Sequence, residues 1–271
     1  MSMENLHFLS YGFVQRALLA GIFIAMVCSI LGVFLVLRRL SLIGDGLAHV
    51  TFGSIAVGLF FHTAPLYLAI PLVMLSSLGI LKLTDKSHMY GDTAIGIVSA
   101  VGIAIGVLLI SVSRGFNADL FGYLFGNILA ISRQEVIVSV LLSVAVVLVI
   151  FFFYHDLVAI TFDEECATVS GIKTQAINKV LVVLTALTVV LAMKVAGIML
   201  VSALLILPAV TALQLAKSFK TALVISALVA LAAVLAGITV SFFLNIPTGS
   251  TIVLIGFSFF LAAFIYKTIR K

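Results

Sequence analysis

Charge is what this chain has least of. Only 9% of its 271 residues are Asp, Glu, Lys or Arg, 63% are hydrophobic, and the mean hydropathy is +1.37. A water-soluble domain carries about 25% charged residues, so the composition excludes that class and requires an integral membrane protein. The formal charge of +5 is no sign of nucleic-acid binding, because the basic residues sit in short loops between apolar runs. Cysteine is scarce too. Cys28 falls mid-run and Cys166 in a polar loop, without a Cys-x-x-Cys spacing, which speaks against a thiolate zinc site or a disulfide framework. No nucleotide-binding P-loop, His-Glu-x-x-His or Gly-x-Ser-x-Gly occurs, nor do paired catalytic carboxylates inside an apolar run, so no enzyme is expected. The first eleven residues lack the basic and small-residue signals of a cleaved leader and are expected to be retained.

What remains is a series of long apolar runs. They are continuous, without the alternation that a barrel strand needs, and close to the roughly 20 residues of one transmembrane helix. Spans are expected at about 13–37, 44–61, 66–83, 93–112, 136–154, 179–193, 195–215, 221–244 and 250–266. The run 120–131 is too short to cross comfortably and contains Gly122, Gly126 and Asn127, so it reads as buried, re-entrant or interfacial. This predicts an all-α polytopic domain over residues 1–271 with about eight or nine transmembrane helices. If 120–131 does not cross, Arg38/Arg39, Lys82/Lys86, Lys173/Lys179, Lys217/Lys220 and the C-terminal basic cluster share one side, which should be the cytoplasm. Arg16, Arg114, Arg133 and Lys194 oppose that trend.

The segment Gly44-Asp45-Gly46-Leu47-Ala48-His49 places an acid and an imidazole four residues apart at the head of an apolar run. On a helix such residues share a face with Cβ atoms about 6 Å apart, close enough to grip one divalent cation. An ionisable pair at membrane depth is a functional hypothesis by default. The plainer alternative is that Asp45 caps the helix and His49 is a satisfied interior histidine. Spacing alone does not choose between them.

Other features stand beside the pair. The stretch 162–171 reads as a short helix with Asp163, Glu164 and Glu165 at its start and Gly171 past its end. It is either an ordinary solvated loop helix or a docking element. Asp92 and Asp119 read as caps or interfacial charges, and Lys194 as a snorkelling ammonium or an electrostatic gate. Gly44–Gly58 and Gly197–Pro208 are glycine-interrupted segments in opposite halves, a pattern that points to a transporter's pathway.

Four stretches, in order, resemble the membrane permeases of bacterial ABC importers for zinc, manganese and related metals. They are 37–49, ending in Gly-Asp-Gly-Leu-Ala-His; 125–130, Phe-Gly-Asn-Ile-Leu-Ala; the acidic loop ending at Gly171; and 194–209, Lys-Val-Ala-Gly-Ile-Met-Leu-Val-Ser-Ala-Leu-Leu-Ile-Leu-Pro-Ala. The resemblance implies the type II (vitamin B12 importer-like) permease fold, a homodimer, and residence in the bacterial cytoplasmic membrane. It also implies cytoplasmic ATPase subunits docked around Asp163, Glu164, Glu165, Ala167 and Gly171, and an extracytoplasmic metal-binding protein or lipoprotein. Asp45 and His49 match the family's metal-contacting acid and histidine, and Gly44, Lys194, Gly197 and Pro208 fall along the implied pathway. The metal is expected as cargo, with no permanent cofactor. The combination of motifs is more similar to the zinc-uptake (ZnuB-like) branch than to the manganese branch, so zinc is expected first and manganese or iron second. An ATP-independent channel or proton-coupled carrier is a distant alternative, since no further intramembrane acids offer a proton relay. An intramembrane hydrolase, which wants three zinc ligands, is more distant still.

Overall fold

A computed structural model describes residues 10–87, 90–113, 119–126, 131–193 and 197–270. Among them there are twelve α-helices and no strand. In chain order they are α1 (Gly12–Leu37), α2 (Ile43–Phe60), α3 (Pro65–Ser87), α4 (Gly91–Val112), α5 (Asp119–Phe125), α6 (Arg133–Phe152), α7 (Tyr154–Phe162), α8 (Glu164–Val169), α9 (Thr174–Ala192), α10 (Val201–Leu215), α11 (Phe219–Leu244) and α12 (Thr248–Ile269). Eight are long and apolar enough to cross a membrane; α10 is apolar but shorter. The expected eight or nine spans are therefore present, and of the run at 120–131 the described residues up to Phe125 belong to a 7-residue helix that starts at Asp119.

Some boundaries differ from the sequence reading, for physical reasons. The span expected from 179 begins at Thr174, because the exposed Lys179 stays on the helix instead of marking its edge. In the span expected from 195, the described residues make a 3-10 turn at Ile198–Leu200 and are α-helical from Val201. The helix expected to end at Tyr154 breaks at Phe153, and a new one, α7, fills part of what reads as a polar loop. Lys194, Arg114, Asn127, His7 and His88 lie outside the described residues.

The chain divides into two compact units. One comprises residues 34–120 and 146–190, the other 1–33, 121–145 and 191–271. In the first, α2 packs on α3 and α4. Glycine sets how closely: a Cβ on Gly53 would strike the Gly102 carbonyl, and one on Gly102 would lie 2.8 Å from the Val50 Cα. Without a hydrophobic drive between helices in lipid, such close backbone contact is what holds spans together. In the second unit, α10 packs on α11 and α12. There a Cβ on Gly32 would strike the Leu205 carbonyl, and the Ser226 hydroxyl donates 3.1 Å to the Ser29 carbonyl, joining α11 to α1.

Candidate metal-contacting site and docking helix

The helix that carries Asp45 and His49 starts abruptly. Arg39 adopts a left-handed conformation (φ 58°), and the N–H groups of Arg39 and Leu40 close α1 by donating to the Val36 and Leu35 carbonyls. That closure is a Schellman motif with arginine where glycine is usual. Three residues later α2 begins, so the acid lies in its first turn. Asp45 is not the cap. The N-cap is Leu42, which makes no side-chain bond, and a first-turn carboxylate is instead favoured by the helix dipole.

One turn on, His49 faces Asp45, with Nε2 3.6 Å from Oδ2. The Asp45 side chain is 52% exposed and that of His49 22%, so both keep a face open. Metal–ligand bonds of about 2.0–2.2 Å for zinc, and about 2.1–2.6 Å for harder cations, span 3.6 Å when two are placed end to end. One ion could therefore touch both atoms. Among the described residues no third His, Cys, Asp or Glu completes a cluster. The Thr51 and Ser54 hydroxyls donate back to the Leu47 and Val50 carbonyls of their own helix. An apolar cavity of about 340 Å³ lies further along α2, lined by residues including Val50, Gly53 and Ile97, and includes neither Asp45 nor His49. Two such side chains on an open surface could offer an ion a resting place, not a cage.

The second candidate region is α8. Asp163 caps it, its Oδ1 accepting the Cys166 N–H at 2.9 Å. Its far end is another Schellman closure: Gly171 (φ 86°) and Ile172 donate to the Thr168 and Ala167 carbonyls. Ala167 is buried, anchoring the helix, while Glu165 is exposed and Phe162 and Val169 are 66% and 89% exposed. Large apolar side chains bare in the chain's most polar stretch are unusual and suit a partner surface.

Sequence reasoning missed what holds α8. Arg38 Nη2 lies 2.7 Å from Glu164 Oε2, Arg38 Nη1 donates to Asn178 Oδ1 at 2.6 Å, and Asn178 Nδ2 donates to Glu164 Oε1 at 2.7 Å. The three side chains close a ring of charge-assisted bonds. Arg38 and Glu164 are 126 positions apart, so no spacing rule pairs them. The available signal was that all three are polar residues at the ends of apolar runs.

In the other unit, Gly197 (φ 84°) abuts the end of α5, where a Cβ would strike the backbone of Phe125 and Gly126. Gly126 is itself left-handed (φ 78°), so two irregular backbones, both singled out by pattern, meet. Pro208 is buried within α10. Gly44 is buried in the first turn of α2.

Residues 10–267 match the ABC 3 transport family. The chain belongs to that family. It is similar to a manganese transport system membrane protein MntC from Halalkalibacterium halodurans, with 34% identity over 98% of this chain and 92% of the relative. A manganese import system permease protein ScaB from Streptococcus gordonii is 35% identical over 97% of this chain and 93% of the relative. A probable iron transport system membrane protein from Haemophilus influenzae is 35% identical over 97% and 96%. Among solved structures, PsaBC from Streptococcus pneumoniae in complex with Fab superposes with a TM-score of 0.87 at 34% identity, covering 97% of this chain and 95% of that one. A metal-chelate type ABC transporter in an inward-facing conformation has a TM-score of 0.72 at 18% identity, covering 98% and 90%, and shares the fold. This chain is thus an all-α, multi-pass permease of an ABC transporter with the type II importer fold, set in a bacterial cell membrane.

Proposed function

We propose that this permease carries Mn²⁺ inward, with Asp45 and His49 as transient ligands of the passing ion. The observation that carries the reading is the Asp45–His49 pair, 3.6 Å apart on the first turns of α2, with no third His, Cys, Asp or Glu grouped with it among the described residues. Conduction needs binding firm enough to dehydrate the ion and weak enough to release it, and two ligands on an open face suit that compromise. The ion is cargo, not a resident cofactor.

Manganese replaces zinc as the first reading of the cargo. The related permeases described above are named for manganese or iron. The ligand pair is compatible: carboxylate and water suit manganese, and imidazole is accepted by most of the first-row ions. Likeness of the motifs to the zinc-uptake branch does not decide the cargo, because an Asp/His pair serves zinc and manganese alike.

The chain lacks a P-loop, so ATP hydrolysis belongs to separate cytoplasmic subunits. We place their docking surface on α8, with Asp163, Glu164, Glu165, Ala167 and Gly171 building it and the exposed Phe162 and Val169 offering the apolar contact. Two copies of the permease would enclose the ion path, and an extracytoplasmic metal-binding protein would deliver the ion. Gly44, Gly197 and Pro208 line or flex that path in this reading.

The test is metal accumulation, measured by mass spectrometry, in cells expressing the permease with its ATPase and binding protein. Asp45→Ala and His49→Ala should each abolish manganese uptake at normal protein levels. Undiminished uptake in both variants would remove the pair from the pathway. Zinc accumulation in place of manganese would keep the permease and overturn the cargo.

A further inference from the structure

Arg16 and Arg133 are two of the basic residues that run against the charge asymmetry of the loops, and both line one cavity. The first turns of α1 and α6 flank a cavity of about 240 Å³ lined by Gly12, Gln15, Arg16, Leu19, Arg133 and Val136. Neither guanidinium is ion-paired among the described residues. The Nε of Arg16 is buried and makes no hydrogen bond among the described residues. The nearby acid on α6, Glu135, turns back to the helix end, its Oε2 accepting the Ser132 N–H at 2.9 Å. Two guanidiniums lining one cavity, neither in an ion pair among the described residues and one with a buried unmatched donor, describe an anion site, because leaving such a donor unmatched is costly. The positive ends of α1 and α6 add to the same potential, although the arginines carry the argument.

We propose that this cavity binds the phosphodiester of an anionic phospholipid headgroup. Arginine suits that chemistry, since its planar fork matches phosphate oxygens bidentately. Position favours a lipid over other anions. Arg16 stands one turn inside a membrane-crossing helix, and Leu19 and Val136 form an apolar floor on the side that continues into the span. Headgroup phosphate above and acyl chain below is the arrangement a phospholipid offers at a membrane interface. The charge pattern of the loops puts this end of α1 and α6 on the extracytoplasmic side. The site is independent of the metal cargo and of Asp45 and His49.

The experiment uses the full permease purified from vesicles of phosphatidylglycerol and phosphatidylcholine, with retained lipid counted by mass spectrometry. Wild type should retain phosphatidylglycerol in preference, by up to roughly thirtyfold for two basic residues. The pair R16Q/R133Q should lose the preference, and R16K/R133K, which keeps the charge, should hold part of it. Should the double glutamine variant fail to fold, R133Q carries the test, since Arg133 is exposed in the first turn of α6. Equal retention of the two lipids by wild type, or an undiminished preference in the glutamine variants, overturns the proposal. Displacement of the lipid by excess inorganic phosphate assigns the site to a free anion and overturns the lipid as source. Unchanged lipid retention with lost capture of an acidic extracytoplasmic protein would show that the arginines serve a protein surface instead.

Discussion

A single carbon added at Gly102 would lie 2.8 Å from the Val50 Cα and 3.0 Å from the His49 carbonyl oxygen. Neither contact can be relieved by turning a side chain, because both are backbone. Gly102→Ala should therefore push α4 off α2 just where the imidazole is held, costing about 1–3 kcal/mol as overpacking does. The melting temperature of the purified protein should fall, and manganese uptake should fall further, since the His49 backbone is displaced. Gly96, on the same helix, has open space around it, so Gly96→Ala should leave the melting temperature unchanged. Equal behaviour of the two variants would mean that the close approach is not what positions His49. Which glycines matter was not legible in sequence. Gly53 and Gly102 look like any other small residues in apolar runs, and only the fold shows that they face one another. Asp45 and His49 were legible, because i, i+4 spacing on a helix is a local relation that needs no tertiary contact.

At the scale of elements, the same logic separates what pattern could reveal from what it could not. Long apolar runs announce their helices, and α8 was visible through Asp163 at its start and Gly171 after its end. The α7 helix was hidden because His155 and Asp156 make its beginning look like a loop, while Leu157 and Ile160 are buried against neighbours that sequence does not identify. Hidden too was the Arg38–Glu164–Asn178 ring, which ties α8 to the residue immediately before the turn into α2. That attachment gives a push on α8 a short covalent route to Asp45. Arg38→Ala should leave ATP hydrolysis by the assembled importer running while metal uptake drops, because docking survives and transmission does not. Its effect on stability should be modest, with a coupling to Glu164 of about 1 kcal/mol in a double-mutant cycle, since Glu164 is 47% exposed. Loss of hydrolysis and uptake in strict proportion would show that the ring serves docking alone.

Choice of ion belongs to the whole molecule, where the sequence was least informative. One carboxylate and one imidazole accept either metal, so selection must come from how tightly each is held while the path opens and closes. By the Irving–Williams order zinc binds such a pair more tightly than manganese. In a conducting site, tighter is slower, because exit limits turnover. On the proposed function, zinc should thus enter, occupy Asp45 and His49, and hold back manganese instead of competing as an equal cargo. In proteoliposomes carrying the complete importer, added zinc should inhibit ATP-driven manganese influx more than zinc itself accumulates. The imidazole is the ligand that favours zinc, and a second carboxylate in its place would harden the site toward manganese. His49→Asp should therefore keep measurable manganese influx while raising the zinc concentration needed for half-inhibition several-fold. An unchanged zinc sensitivity in that variant would place the discrimination elsewhere, in the delivering protein or in a ligand from a second copy of the chain. Raised tolerance would show that one imidazole on α2 sets how the whole importer treats the wrong ion.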